Sequence, residues 1–185
     1  MTEKIKILGI AGSLRKDSYN KSLLKAAQEL APKGATVEIF DLEGIPPFNQ
    51  DLESQPPQII KDFKSKIKAA DAILIATPEY NYSIPGVLKN AIDCASRPYG
   101  DNVWKTKPVA IMGASIGMLG TSRAQYHLRQ CFVILEMFPV NQPEVMVTFA
   151  ADKFDKSGKL LDEQAGKLVI KLLESLVNLT FQMKK

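Results

Sequence analysis

This chain of 185 residues has few side chains of the kinds that staple, anchor or coordinate: two cysteines, one histidine and one tryptophan. Cys94 and Cys131 are far apart and belong to no CxxC or Cys/His cluster. A disulfide scaffold and a metal site are therefore not expected, and two free thiols fit a reducing, cytoplasmic setting. No apolar run approaches the roughly 18 residues needed to span a bilayer, so no membrane partner is expected. Met1-Thr2-Glu3-Lys4 leads straight into a short apolar stretch, without the basic start, long apolar core and cleavage site of a secretory signal. A large excess of one charge is also lacking. Lys plus Arg number 24 against 20 for Asp plus Glu, and the basic residues are scattered rather than striped among aromatics. That argues against nucleic acid, while a mild positive excess suits small anionic ligands. With 45% apolar residues and 11 prolines, the chain can bury one core of ordinary size, and residues 1–185 read as one domain.

Short apolar runs alternate with longer amphipathic ones, the pattern of a βαβ protein. Strands are expected at Ile5–Ile10, Val37–Phe40, Ala72–Ala76, Val109–Gly113 and around Val145–Val147. Helices are expected over about 20–30, 59–69, 86–95 and 122–137, with a closing helix marked by Leu161, Ala165, Leu168, Val169, Leu172 and Leu176. The stretch from Gly44 to Pro57 holds four prolines and reads as irregular. The third strand is apolar without alternation, as befits a strand covered on both faces of a parallel sheet. Five strands and five helices in alternation predict a three-layer α/β sandwich of doubly wound type.

Ligands bind such sheets beyond the carboxyl ends of the strands, so the loops after strands one, three and four carry the expectation. The first reads Gly12-Ser13-Leu14-Arg15-Lys16-Asp17-Ser18-Tyr19-Asn20 and leads into a helix. Amide N–H groups at that helix start, the hydroxyls of Ser13 and Ser18, and the Arg15 guanidinium suit a phosphate. Equally, Ser18 or Asn20 caps the helix and Arg15 is solvated. The loop lacks the Lys-Ser/Thr ending of a Walker A motif, does not match G-x-G-x-x-G, and follows a strand that ends without an acidic pair. The loop after strand three, Thr77-Pro78-Glu79-Tyr80-Asn81-Tyr82-Ser83-Ile84-Pro85-Gly86, offers two tyrosines, an asparagine and backbone groups to the edge and face of a flat heteroaromatic ring. The loop after strand four runs from Ala114 to Ser122 through Ser115, Gly117 and Gly120. Its glycines allow close approach, and its amides suit a carbonyl or developing negative charge. Phosphate, ring edge and ring anion together describe a phosphorylated flavin.

Gly12-Ser13-x-Arg15-x-x-Ser18-x-Asn20 followed by Pro78-Glu79-Tyr80-Asn81-x-Ser83-x-Pro85-Gly86-x-Leu88-Lys89-Asn90 resembles the NAD(P)H-dependent FMN reductases. Within them the chain is most similar to bacterial chromate/quinone reductases, with azoreductases as cousins. The resemblance implies a flavodoxin-like fold with strand order 2-1-3-4-5 and noncovalent FMN. It implies that Ser13 to Asn20 hold the phosphate and ribityl chain, Pro78 to Tyr82 flank the isoalloxazine, and Ser115 and Gly117 approach it from the third loop. Relatives often read Ile-Asp-Trp where this chain has Ile92-Asp93-Cys94. The resemblance also implies a homodimer or homotetramer, with Arg123, Tyr126 and Glu144 in an inter-subunit network.

The activity so implied is ping-pong: NAD(P)H gives hydride to the flavin and leaves, and a quinone, azo compound, chromate or free flavin is then reduced. The hard chemistry belongs to the cofactor, so no catalytic protein residue is expected, and His127 reads as structural. A flavodoxin-like electron carrier and an FMN-based redox sensor are the alternatives. Such carriers are usually strongly acidic, unlike this chain.

Overall fold

The computed structural model describes residues 4–184; residues 1–3, on which the expectation of no leader partly rests, lie outside the described residues. The apolar runs form β1 (Ile5–Ala11), β2 (Ala35–Phe40), β3 (Ala72–Ala76) and β4 (Pro108–Ala114), all parallel, in the order β2-β1-β3-β4. The amphipathic runs form α1 (Tyr19–Glu29), α2 (Gln58–Ala69), α3 (Gly86–Ala95), α4 (Ser122–Leu135) and α5 (Glu163–Met183).

Alternate residues of each strand face opposite layers. Ile5, Ile7, Leu74, Ala110 and Met112 pack with Leu23, Leu24, Ala27, Val169, Leu172 and Leu176 of α1 and α5. Leu8, Ile10, Ile73, Ile75, Val109 and Ile111 pack with Phe63, Ile67, Leu88, Ile92, Leu128 and Phe132 of α2, α3 and α4. Two helices cover one face and three the other, which is the flavodoxin-like sandwich expected from the sequence.

The far edge departs from expectation. Its place is shared by two short strands, β5 (Phe138–Pro139) and β6 (Val145–Val147), both paired with β4. Between them residues 140–144 stand opposite only residues 110–111 of β4, so the chain loops outward. Pro139 and Pro143 cannot donate to a ladder, and Arg129 fills the gap by donating to Val140 O at 2.9 Å and Asn141 Oδ1 at 3.3 Å. Two boundaries also move. One 3₁₀ turn, Gln50–Leu52, interrupts the proline-rich stretch, and α4 stops at Leu135 because Glu136 turns left-handed at φ 55°.

Candidate functional site

The expected loops all emerge at the carboxyl edge of the sheet. In the β1–α1 loop, Ser18 is the N-cap of α1, its Oγ accepting from Asn20 N at 3.3 Å, while Ser13 Oγ accepts from Arg15 N at 3.3 Å. Both serines are only 3% exposed, and each hydroxyl keeps its own O–H to donate. The backbone amides of Ser13, Leu14, Lys16 and Asp17 find no acceptor among the described residues. Leu14, Arg15, Lys16 and Asp17 are exposed, with the Arg15 guanidinium 5.5 Å from the Tyr19 ring centroid and Tyr19 packed in turn on Phe154. The result is a small cup of donors with an exposed cation at its lip.

Asn20 does something the motif did not reveal. Its amide is buried and reaches across to β4, donating to Ala114 O and accepting from Ala114 N, both at 2.9 Å. Its side chain thereby ties the first loop to the root of the third.

The β3–α3 loop is a two-residue hairpin. Tyr80 and Ser83 exchange both backbone hydrogen bonds at 3.0 Å, with Asn81 at φ 51° and Tyr82 at φ 66°. Positive φ at both central positions makes a type I′ turn; asparagine tolerates it, whereas for tyrosine it costs roughly 1–2 kcal/mol. The reward is display: Tyr80, Asn81 and Tyr82 are exposed at the edge while Thr77 and Pro78 are buried beneath. Glu79 points away from that edge. Its Oε2 accepts from Arg123 N at 3.1 Å and Ala124 N at 3.3 Å, its Oε1 binds the Arg123 guanidinium, and its side chain is 7% exposed.

The third loop is partly self-satisfied. Gly117 N donates to Ser115 Oγ at 3.1 Å, and Ser115 N to Val147 O at 3.0 Å. Those two amides are committed, whereas Ile116, Met118 and Leu119 have backbone N–H groups without an acceptor among the described residues. Gly113, beneath, has no room for a side chain: a Cβ there would lie 1.9 Å from Thr121 Oγ1 and 2.6 Å from Thr77 O. A fourth segment went unread in the sequence. Phe149 N and Ala150 N donate to Gly117 O and Ser115 O at 3.3 and 3.0 Å, laying exposed Phe149 beside exposed Ile116 and Met118. The rule that ligands gather past strand ends applies after β6 as well, and would have pointed here.

Of the three expected interface residues, Arg123 is bound to Glu79 of its own chain, and Tyr126 donates to Glu144 Oε1 at 3.0 Å, also within the chain. The hydrogen bond to Glu144, and then its charge, raises the Tyr126 pKa. His127 Nδ1 shares a 3.0 Å hydrogen bond with Ser83 Oγ. Burial pushes both Cys94 and Cys131 up, so neither is a ready thiolate. A cavity of about 400 Å³ opens elsewhere, between α2 and α3 beneath Phe48 and Leu52. Of its charged groups, Lys64 and Lys68 both pair with Asp101 and Arg97 pairs with Glu53, so most are engaged within the chain.

Residues 5–152 match the model of the NADPH-dependent FMN reductase family. An NAD(P)H-dependent FMN reductase of Pseudomonas aeruginosa is 51% identical over 177 residues, covering 95% of each chain. A 2-hydroxy-1,4-benzoquinone reductase of a Burkholderia species is 45% identical over 163 residues, covering 88% of this chain and 89% of the relative. Among solved structures, the flavoenzyme NAD(P)H:(acceptor) oxidoreductase of Paracoccus denitrificans superposes with a TM-score of 0.89 at 35% identity, covering 97% of this chain and 98% of its own. On these matches, and on the loops that carry them, the chain belongs to the NADPH-dependent FMN reductase family.

Proposed function

We propose that residues 1–185 form one FMN-binding domain that uses NAD(P)H to reduce quinone-type acceptors, the two substrates entering and leaving in turn. The observation that carries this reading is the convergence of unsatisfied donors and displayed aromatics on one sheet edge. The residues fit FMN. Ser13 and Ser18 present O–H donors from buried positions, the amides of Ser13, Leu14, Lys16 and Asp17 lie beside them, and Arg15 is close enough to close over a phosphate. Tyr80, Asn81 and Tyr82 would flank the ring system, and the amides of Ile116, Met118 and Leu119 would face its polar edge.

FMN held at this edge would supply the redox chemistry, hydride transfer between the nicotinamide and the acceptor. The chain's own part is placement. Its β1–α1 loop would hold the phosphate with neutral donors and one guanidinium, and the fixed dipoles of the third loop would favour negative charge on the ring. The exposed apolar side chains Ile116, Met118 and Phe149 exclude water from the stacking face.

We further infer a homodimer or homotetramer in a cytoplasmic setting. Val133 and Ile134 on the outer face of α4 are 80% and 81% exposed, an apolar surface suited to a second copy. Free thiols and the use of NAD(P)H accord with a reducing compartment. Among the described residues, no helix is long and apolar enough to cross a membrane.

Anaerobic addition of NADPH to the FMN-loaded protein should bleach the flavin absorbance, and mixing with benzoquinone should restore it. A flavin that NADPH leaves oxidised would return the protein to the carrier class.

A further inference from the structure

Resting on the FMN reading, we propose that Glu79 is a positioning residue that fixes the gap between the two loops facing the ring system. Helix α4 begins with no cap of its own. Thr121 is left-handed at φ 75°, and its hydroxyl accepts from Gln125 Nε2 at 3.1 Å instead of binding the first-turn amides. The missing cap comes from 44 residues upstream, where the Glu79 carboxylate takes the N–H groups of Arg123 and Ala124. This places a negative charge on the positive end of the α4 dipole, and the same carboxylate pins the Arg123 guanidinium. The pinned guanidinium carbon lies 3.5 Å from the centroid of the Tyr82 ring. Tyr82 occupies a strained backbone conformation that persists only when its surroundings over-determine it.

One buried carboxylate thus does three things at once. It starts α4, and so fixes where the Ser115–Gly120 loop ends. It holds the hairpin against that start, and it orients the cation that stacks on Tyr82. The hairpin and the third loop are the two edges between which a flat ring must fit. Their separation is set by Glu79, whereas the hydroxyls of the phosphate cup, Ser13 and Ser18, are held by bonds within their own loop that Glu79 does not touch.

The test compares FMN with riboflavin, which shares the rings and lacks the phosphate. In Glu79→Ala protein the two ligands should weaken by the same factor, roughly five- to thirty-fold, with a changed visible spectrum of the bound flavin and a lower kcat with benzoquinone at saturating FMN. Glu79→Gln keeps both backbone hydrogen bonds and the fold while losing the charge that pins Arg123. It should weaken both flavins by a smaller common factor, and it decides the question if Glu79→Ala does not fold. Asp162→Ala, which removes the cap of α5 instead, should lower the melting temperature without moving either affinity. Lower melting of the Glu79 variants with unchanged affinities would make Glu79 merely structural and overturn the proposal. So would a loss confined to FMN, which would implicate the phosphate cup. Wild-type protein that binds neither flavin would overturn the function reading itself, a result distinct from either.

Discussion

Replacing Asn20 by alanine tests whether the first loop and the third are built as a unit. The substitution deletes two hydrogen bonds of 2.9 Å and leaves the N–H and C=O of Ala114 buried at the end of β4 without partners. Each orphaned backbone group costs about 1–3 kcal/mol, and some water entry into the small void offsets part of this, so the expected loss is about 3 kcal/mol. For a chain of this length that is a fall in melting temperature of roughly 6–12 °C. The N-cap contributed by Ser18 stays, so α1 should still form. Asn20→Asp sharpens the test. A carboxylate can accept from Ala114 N but must set its second oxygen against Ala114 O, and burial penalises its charge. Relative to wild type, that variant should be destabilised most at neutral pH and should recover in acid, where the protonated group can donate again. Differential scanning fluorimetry of the apo protein across pH gives both numbers. If Asn20→Ala melts within about 1 °C of wild type yet loses FMN affinity, the side chain serves the phosphate and the bridge to Ala114 is incidental.

Other perturbations follow from single contacts. Arg15→Ala should weaken FMN by about 1.5–3 kcal/mol, the scale of a hydrogen bond to a charged group, while riboflavin affinity stays unchanged; isothermal titration separates the two ligands. Gly113→Ala would force a Cβ against Thr77 O and Thr121 Oγ1, of which the carbonyl cannot move away. A loss of about 1–3 kcal/mol or more is expected, read by urea unfolding, and wild-type stability would contradict the packing at the root of the third loop. The Asp101 pKa is lowered by its hydrogen bonds to Lys64 and Lys68, and that of Asp162 by Lys153 and then by Ala165 N. Depressed folded values mean that their stabilisation is complete above the unfolded carboxylate range and is lost as pH falls through the folded ones. Stability should therefore decline as pH falls below the ordinary carboxylate value of 3.8, and Asp162→Ala, which also removes a cap worth about 1 kcal/mol, should flatten part of that decline.

The layers of the fold were legible because they depend on local pattern. The uninterrupted Ala72–Ala76 run could only be a strand covered on both sides, and leucines at helical spacing in α1 and α5 announce the face they bury. The split of the last strand was not, since Pro139 and Pro143 signal lost donors but not where Arg129 will make up for them. At the candidate site, the motif pointed to loops that meet at one sheet edge, but it carried no sign of the long-range partners of two side chains. Asn20 bonds a residue 94 positions away and Glu79 a helix 44 positions away, and no periodicity encodes such partners. A hint existed in the start of α4, where Thr121-Ser122-Arg123-Ala124 offers no acidic residue to its own first turn. Here the first-turn amides are met from elsewhere in the fold, by the Glu79 carboxylate.

We propose that a single sheet edge grips FMN with its phosphate among the amides and hydroxyls of Ser13 to Ser18 and its rings against Tyr80 to Tyr82. A crystal structure of the protein grown in excess FMN measures this directly. Phosphate density is expected within hydrogen-bond distance of the Ser13 and Ser18 hydroxyls, and ring density between the hairpin and the third loop. Flavin bound in the cavity between α2 and α3, or with its phosphate at any other place, would contradict it.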